Sequence, residues 1–485
     1  AKNSARWGIT FFAANTYEAV LVPILADFHP ESVNSLVDHS ESKVLLTDSD
    51  IWSKLDIAKM PQIQAVFSSS DFSLLYASDE KIQKACDDLD ALFEAKYPAG
   101  FSAEHVSYPT ANDKDLAIIN YTSGTTSAPK GVMLRYECLT ENVSFGQKRL
   151  PCAPGDTLVS MLPMAHMYGM MFELIYPVCN GAAVYYLGKT PTPALLLGAM
   201  KEVKPYLVIT VPLVMEKIFK SKVAPVINKP VMKAICAIPG LNQVIFKKIR
   251  TTLLNAFGGN VREIVMGGAA LNPEVESWFK KFKLPYTVGY GMTEAAPLMA
   301  YEDWWDFAPK SCGKAIDTIE VRIDSEDPYN KVGEIQARGM NVMSGYFKNE
   351  EATNAAFTED GWMRTGDLGV IDKKGNIFIK GRSKNMILSA NGQNIYPEEI
   401  EAVVNNQPYV IESVVINRGA SLVALVFTDS DKIKAEGIDT ETFKKTIMVE
   451  VNKSMPAYSK INTVEIMDQP FEKTPKMSIK RFMYK

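Results

Sequence analysis

The stretch NYTSGTTSAPKGV, residues 120–132, sets three threonines, two serines, two glycines and a lysine directly behind the apolar run LAII (116–119). A strand that opens into a loop rich in hydroxyls and backbone N–H donors, closed by a lysine, is a cradle of the kind that suits a polyphosphate. It is not the Walker pattern, because Pro129 stands where the second glycine belongs and Lys130 is followed by Gly131 rather than Ser or Thr. The same residues also suit an exposed Ser/Thr turn, so the choice rests on what surrounds the loop.

The surroundings alternate. WGITFFAANTYEAV (7–20) reads as an apolar helix, and LVPIL (21–25), KVLLTD (43–48), QAVFSS (64–69), LAIINY (116–121), TLVSML (157–162), AAVYYL (182–187), YLVITV (206–211) and EIVMGG (263–268) read as short strands. Such alternation predicts layered α/β structure around a largely parallel sheet, with ligands at the carboxyl ends of strands. Near residue 370 the texture changes. GVIDKKGNIFIKG (369–381) reads as a β-hairpin, and YPEEIEAVVNN (396–406) as a helix with proline in its first turn. About a hundred residues of α+β pattern follow, which puts a boundary at Gly381 to Lys384: a large unit over 1–381, a hinge at 382–384 and a small unit over 385–485.

Composition bounds the function. With 485 residues the chain exceeds one compact core, and 47% apolar with 22% charged residues is an ordinary globular balance. The net charge of −4 comes from 52 basic and 56 acidic residues. That balance gives no nucleic-acid footprint and allows at most peripheral membrane association. The six cysteines lie far apart without a CxxC pair, and four histidines offer no metal cluster; reduced, buried thiols in a cytoplasmic protein are expected. The start AKNSARWG lacks signal-peptide organisation, and MYGMMFELIYPVC (167–179) meets a charge well before spanning length.

Four later stretches keep company with the opening loop. MGGAAL (266–271), GYGMTE (289–294), GWMRTGDLG (361–369) and KGRSKNMILSANGQNIYPEEIE (380–401) follow it in order. Together the five resemble the adenylate-forming superfamily of acyl-CoA synthetases, peptide-synthesis adenylation domains and luciferases, and most resemble a long-chain fatty acid–CoA ligase. The resemblance implies an α/β fold: a large N-terminal domain of layered sheets with a distorted β-barrel part, and a small mobile α+β C-terminal domain.

It also implies an ATP site. Thr122, Ser123, Gly124, Thr125, Thr126 and Lys130 would face the β- and γ-phosphates, and Gly268, Ala269 and Ala270 would form the adenine turn. Tyr290, Gly291, Met292 and Thr293 would hold the nucleoside. In physical terms, Tyr290 offers a ring for a purine to stack on, with glycines letting the backbone approach. Glu294 is a hard carboxylate suited to magnesium. Asp367 has acceptors for both ribose hydroxyls, although a turn-forming Asp is an equally ordinary reading. Arg382, always charged, would reach ribose or phosphate, and Thr125, Lys130, Thr293, Glu294 and Arg382 would carry the catalytic work.

His166 in LPMAHMYG would line the mouth of an acyl pocket, or else pack as a core histidine. No Asp stands in SMLPMAHMYGMM to pair with an amine, and the apolar crowding favours a fatty acid. The resemblance implies two half-reactions, acyl-adenylate formation with release of pyrophosphate and then transfer to coenzyme A, with rotation about Lys384 between them and Gly392 in the pantetheine tunnel. Transfer to an acyl carrier protein is the alternative, and a homodimer is allowed.

Three departures stand out. The family's K-T-P-x-x-K-I-x-R reads KTPKMSIKR (473–481) here, with Ser478 in place of the adenylating lysine and Lys476 and Lys480 beside it. An adenylation-impaired, nucleotide-binding member is therefore a further reading. Ser127 replaces a usual glycine. The family's opening strand and helix are absent from the numbered sequence, so the chain is a shortened form or omits an N-terminal portion.

Overall fold

Three fully buried strands, Leu207–Thr210, Glu263–Met266 and Tyr286–Val288, pair in parallel at the centre of the large unit. Their mostly apolar composition, LVIT, EIVM and YTV, suits strands covered on both faces. The crossovers supply the cover. Helices between Pro212 and Ala256 join the first strand to the second, and Pro273–Phe282, capped by the Asn272 side chain and burying Val275, Phe279 and Phe282, joins the second to the third. The computed structural model describes residues 1–109, 112–122, 129–150, 152–189, 192–238, 240–389, 393–419, 421–473 and 479–484.

The strand ahead of the hydroxyl-rich loop does not enter a parallel sheet. Leu116–Thr122 runs antiparallel to Lys130–Arg135, and Gly345–Tyr346 adds a third strand on the far side, with Tyr346 opposite Val132. The loop therefore closes a hairpin instead of leading into a helix. A loop of seven residues, too short for the helical crossover that parallel strands need, dictates this outcome. LVPIL also departs from its reading: only Leu21 pairs, with Ile118, since Pro23 has no N–H to give a ladder.

Downstream, Ile319–Asp324, Gly333–Gly339, Met363–Ile371 and Ile377–Arg382 form an antiparallel sheet in chain order. The expected distorted barrel is not formed. Among the described residues this sheet is open, its two outer strands unpaired with each other, whereas a barrel requires first-to-last pairing. The predicted hairpin turn is held by Asp372, whose Oδ1 accepts from the N–H groups of Lys374 (2.8 Å) and Asn376 (2.9 Å).

The smaller C-terminal domain has its own core. Ile400, Val404, Val415, Ala424, Val426, Phe443, Ile447 and Val451 pack together, apart from the large cluster that extends from Phe11 to Ile377. Its sheet sets Val410–Arg418 antiparallel to Ser421–Thr428, with Thr463–Met467 parallel to the latter. The cysteines are all free, but not all are buried as expected: Cys179 is exposed, and Cys86 and Cys236 are half-buried. No described helix is long and apolar enough to cross a membrane.

Candidate functional site

Strand pairing brings residues far apart in sequence to one place. Lys130 opens its strand with Nζ 4.8 Å from the centroid of the Tyr346 ring, an attractive geometry for a cation on a π face. Tyr346 in turn donates its hydroxyl to Glu294 Oε1 at 3.0 Å. Burial, and then the neighbouring carboxylate, push the Tyr346 hydroxyl well above its ordinary pKa, so it stays a donor. Glu294 lies in the 3₁₀ turn Thr293–Ala295, and its carbonyl accepts from Met343 N–H at 2.9 Å. Thr122 Oγ1 donates to the Lys130 carbonyl at 3.4 Å. Ser123, Gly124, Thr125, Thr126 and Ser127 lie outside the described residues.

A second set meets around Asp367. Asp367 is opposite Arg382 in the sheet register. Its Oδ1 is 2.8 Å from Arg382 Nε, and its Oδ2 accepts from the Tyr290 hydroxyl at 2.7 Å. Burial raises the Asp367 carboxyl and the guanidinium opposes that rise. Asp367 is 4% exposed, whereas the Arg382 side chain is 56% exposed; one partner is fixed in the wall and the other reaches out of it. Each carboxylate oxygen keeps a lone-pair site beyond the bond it already accepts. The Glu294 charge also acts on Asp367, so the two carboxylates lie within electrostatic reach of each other.

The glycines divide by role. A Cβ on Gly291 would lie 2.0 Å from the Pro297 carbonyl oxygen, so this glycine is required by the adjoining chain, which the sequence reading did not anticipate. Gly268, at φ +83°, has open space where a Cβ would stand, and it is exposed together with Ala269 and Ala270. That turn is linked to the His166 segment by Tyr168, whose ring would stand 3.1 Å from a Cβ on Gly267 and whose hydroxyl donates to the carbonyls of Val265 (3.1 Å) and Thr210 (3.3 Å).

His166 is half-buried and caps the short helix Met167–Met170, its Nδ1 accepting from Tyr168 N–H at 3.2 Å. Beneath it, Glu173 sits wholly buried in a five-residue π-helical turn, Met171–Ile175. Its Oε2 accepts from Ser160 Oγ (3.0 Å), Met161 N–H (3.0 Å) and Leu162 N–H (2.9 Å). Burial pushes this carboxyl up to about 8 against those donors. Tyr346, Tyr168 and Glu173 escaped the sequence reading, since a tyrosine or a glutamate in an apolar run carries no local mark of its cross-chain partner.

At the junction, Lys384 is exposed in the turn Ser383–Asn385. Asn385 Nδ2 donates to Glu398 Oε1 at 2.7 Å, and Arg481 pairs with Glu401 and stands 3.9 Å from Glu398. Lys480 pairs with Glu472 at 3.1 Å. Gly392, Lys476 and Ser478 lie outside the described residues. The two domains touch where Asn272, just after the 266–271 turn, bonds Asn406.

Similarity to known proteins covers both the large and the small domain. Residues 1–347 match the AMP-binding enzyme family and residues 384–484 its C-terminal domain. The chain is 31% identical over 348 residues to long-chain-fatty-acid–CoA ligase 4 of Saccharomyces cerevisiae, a match covering 67% of this chain and 48% of that protein. It is 28% identical over 468 residues to the peroxisomal long chain acyl-CoA synthetase 6 of Arabidopsis thaliana, covering 89% of this chain and 64% of the relative. The chain thus spans about half to two thirds of the length of these relatives. Its fold follows that of ATP-bound MatB from Rhodopseudomonas palustris, with a TM-score of 0.78 at 22% identity over 100% of this chain and 86% of the other.

Proposed function

The chain belongs to the AMP-binding enzyme family, and from that premise we propose that it activates a fatty acid with ATP and passes the acyl group to coenzyme A. An oxygen of the fatty carboxylate attacks the α-phosphorus, the bond to the bridging oxygen breaks, and pyrophosphate leaves. The coenzyme A thiol then loses its proton to solvent, attacks the acyl carbonyl and expels AMP. The relatives named for long-chain acyl-CoA ligation support the acid and the acceptor.

What carries the reading is two sets, Lys130 with Tyr346 and Glu294, and Tyr290 with Asp367 and Arg382, each holding a cation and a carboxylate, the pairing that a nucleotide with its cation needs. In the proposed complex Asp367 accepts from the ribose hydroxyls and Tyr290 flanks the base, beside the Gly268 to Ala270 turn. Arg382 and Lys130 face phosphate oxygens, together with Thr122 to Thr126. Glu294 fits magnesium: Tyr346 engages one carboxylate oxygen and leaves the other to a hard cation. When bound, the ion would supply charge neutralisation at the phosphates.

His166 and Tyr168 wall the acyl end, and Lys384 is the hinge that exchanges one face of the small domain for the other, bringing Gly392 to the pantetheine.

Pyrophosphate release across carboxylates from acetate to long-chain fatty acids tests the reading, with coenzyme A and acyl carrier protein compared as acceptors. Absence of release with every acid rejects it. Ser478 favours a second reading, in which adenylation is slow because the α-phosphate lacks its cation. Ser478→Lys should then raise pyrophosphate release by about tenfold or more, leaving thioester formation from preformed acyl-adenylate unchanged.

A further inference from the structure

From Lys217 to Arg262 the chain carries nine lysines and arginines and not one aspartate or glutamate, within a protein of net charge −4. The segment folds as helices that cover the central sheet on one side. Pro212–Ile218 continues through a π-helical turn, Phe219–Val223, into Ala224–Ile227, and Pro230–Ala237 and Leu241–Ala256 follow. Of the basic side chains described here, none lies within ion-pairing distance of a described carboxylate. The acid just ahead of the segment, Glu216, is turned inward to accept from the Asn272 N–H at 2.9 Å.

The same helices leave large aliphatic groups in water. Val231 is 70% exposed and Val244 65%, with Ile238 and Leu241 about half exposed. Helical spacing aligns them: Val231, Ala234 and Ile238 are at i, i+3 and i+7, as are Leu241, Val244 and Lys248. Leu241–Ala256 already buries Phe246 and Leu253 toward the core, and at 100° per residue Leu241, Val244 and Lys248 fall on the opposite face. An open groove of about 420 Å³ lies between the helix Pro193–Val203 and the start of this segment; Pro193, Ala194 and Leu197 line it together with Lys217, Ser221 and Lys222.

We infer that this face docks on an anionic lipid bilayer. Unpaired ammonium groups interleaved with projecting aliphatic side chains match a surface that is negative at its headgroups and apolar just below. An acidic protein would satisfy the charges but leave Val231 and Val244 unexplained. The groove adds an apolar wall beside two lysines, a shape that takes an acyl chain by its tail and an anionic headgroup at its rim. The face hangs from Leu207–Thr210, the strand whose end accepts the Tyr168 hydroxyl bond. Docking would thus set the proposed acyl end beside the phase in which fatty acids concentrate, although vesicle binding can be read without any turnover.

The test is flotation of the full chain with vesicles of phosphatidylcholine alone and of phosphatidylcholine and phosphatidylglycerol in equal parts. Binding is expected only to the anionic vesicles and should fade with added salt, since the Debye length is about 8 Å at physiological ionic strength. Lys247→Glu with Lys248→Glu should cut partitioning by about tenfold or more. Val231→Ser with Val244→Ser should weaken it while keeping the salt dependence, and circular dichroism should show both variants folded. Equal binding to both vesicle types, no binding to either, or retention on soluble polyglutamate in place of vesicles would overturn the inference, the last pointing to an acidic protein partner.

Discussion

Asp367 and Lys248 are both charged, and the fold treats them in opposite ways. Asp367 is buried with both oxygens engaged, by Tyr290 and by Arg382, whereas Lys248 is exposed on a helix without a paired carboxylate. Around Asp367 the buried charge is fixed by named partners, and taking Arg382 away strands the carboxylate where water cannot replace it. On the helical face the charges act through their summed field, so each counts for little and salt screens them all. A fixed array suits a ligand of defined shape; an unpaired field suits an extended surface.

Breaking the array should give the largest effect. Asp367→Asn keeps the volume but turns an amide toward either Arg382 or Tyr290, and pyrophosphate release should fall roughly a hundredfold or more with KM for ATP rising. An unchanged rate would place Asp367 outside the site. A buried carboxyl without any cation sharpens the contrast next. Because burial holds Glu173 up to about 8, the folded chain retains a proton that the unfolded chain gives up near its ordinary pKa of about 4.3. The resulting stabilisation is complete below that value and is lost as pH rises through about 8. Glu173→Gln cannot release the proton, so urea unfolding at pH 5 and pH 8 should differ less than in the parent protein, by roughly 3 to 4 kcal/mol. Glu263 and Glu401, both pushed up by burial to about 7, remain in both proteins and cancel from the difference. A smaller loss is expected from Tyr346→Phe. It removes the hydroxyl bond to Glu294 and keeps the ring under Lys130, so turnover should drop by about tenfold with ATP affinity nearly intact.

Much of the candidate site could be proposed from the sequence because its chemistry is local. Hydroxyls crowd residues 122–127 on either side of Gly124, and the run from Tyr290 to Glu294 and the stretch around Asp367 stand out by residue type and order. The helix Pro397–Val404 and the hairpin about Asp372 follow from periodicity and turn chemistry, and so does the first helix, although it ends at Thr16 and not at Val20 as read. Tyr346 was not legible, since its value comes from sitting opposite Val132 on a neighbouring strand. Gly291 was read as leaving space for a ligand and proves to leave space for the Pro297 carbonyl. The basic face escaped for a different reason: a count over the whole chain averages an acid-free segment with the acid-rich remainder.

The sequence by itself determined the family and the α/β class, and it singled out Lys130, Glu294, Asp367 and Arg382 as candidates, because residue type and short-range spacing encode them. Only the tertiary structure decided that the hydroxyl-rich loop closes a hairpin, that Tyr346 joins Lys130 to Glu294, that Glu173 loses its access to water, and that Val231 and Val244 keep theirs. Those outcomes depend on strand register and on which face of a helix meets the core, and both are set by packing between segments far apart in the chain.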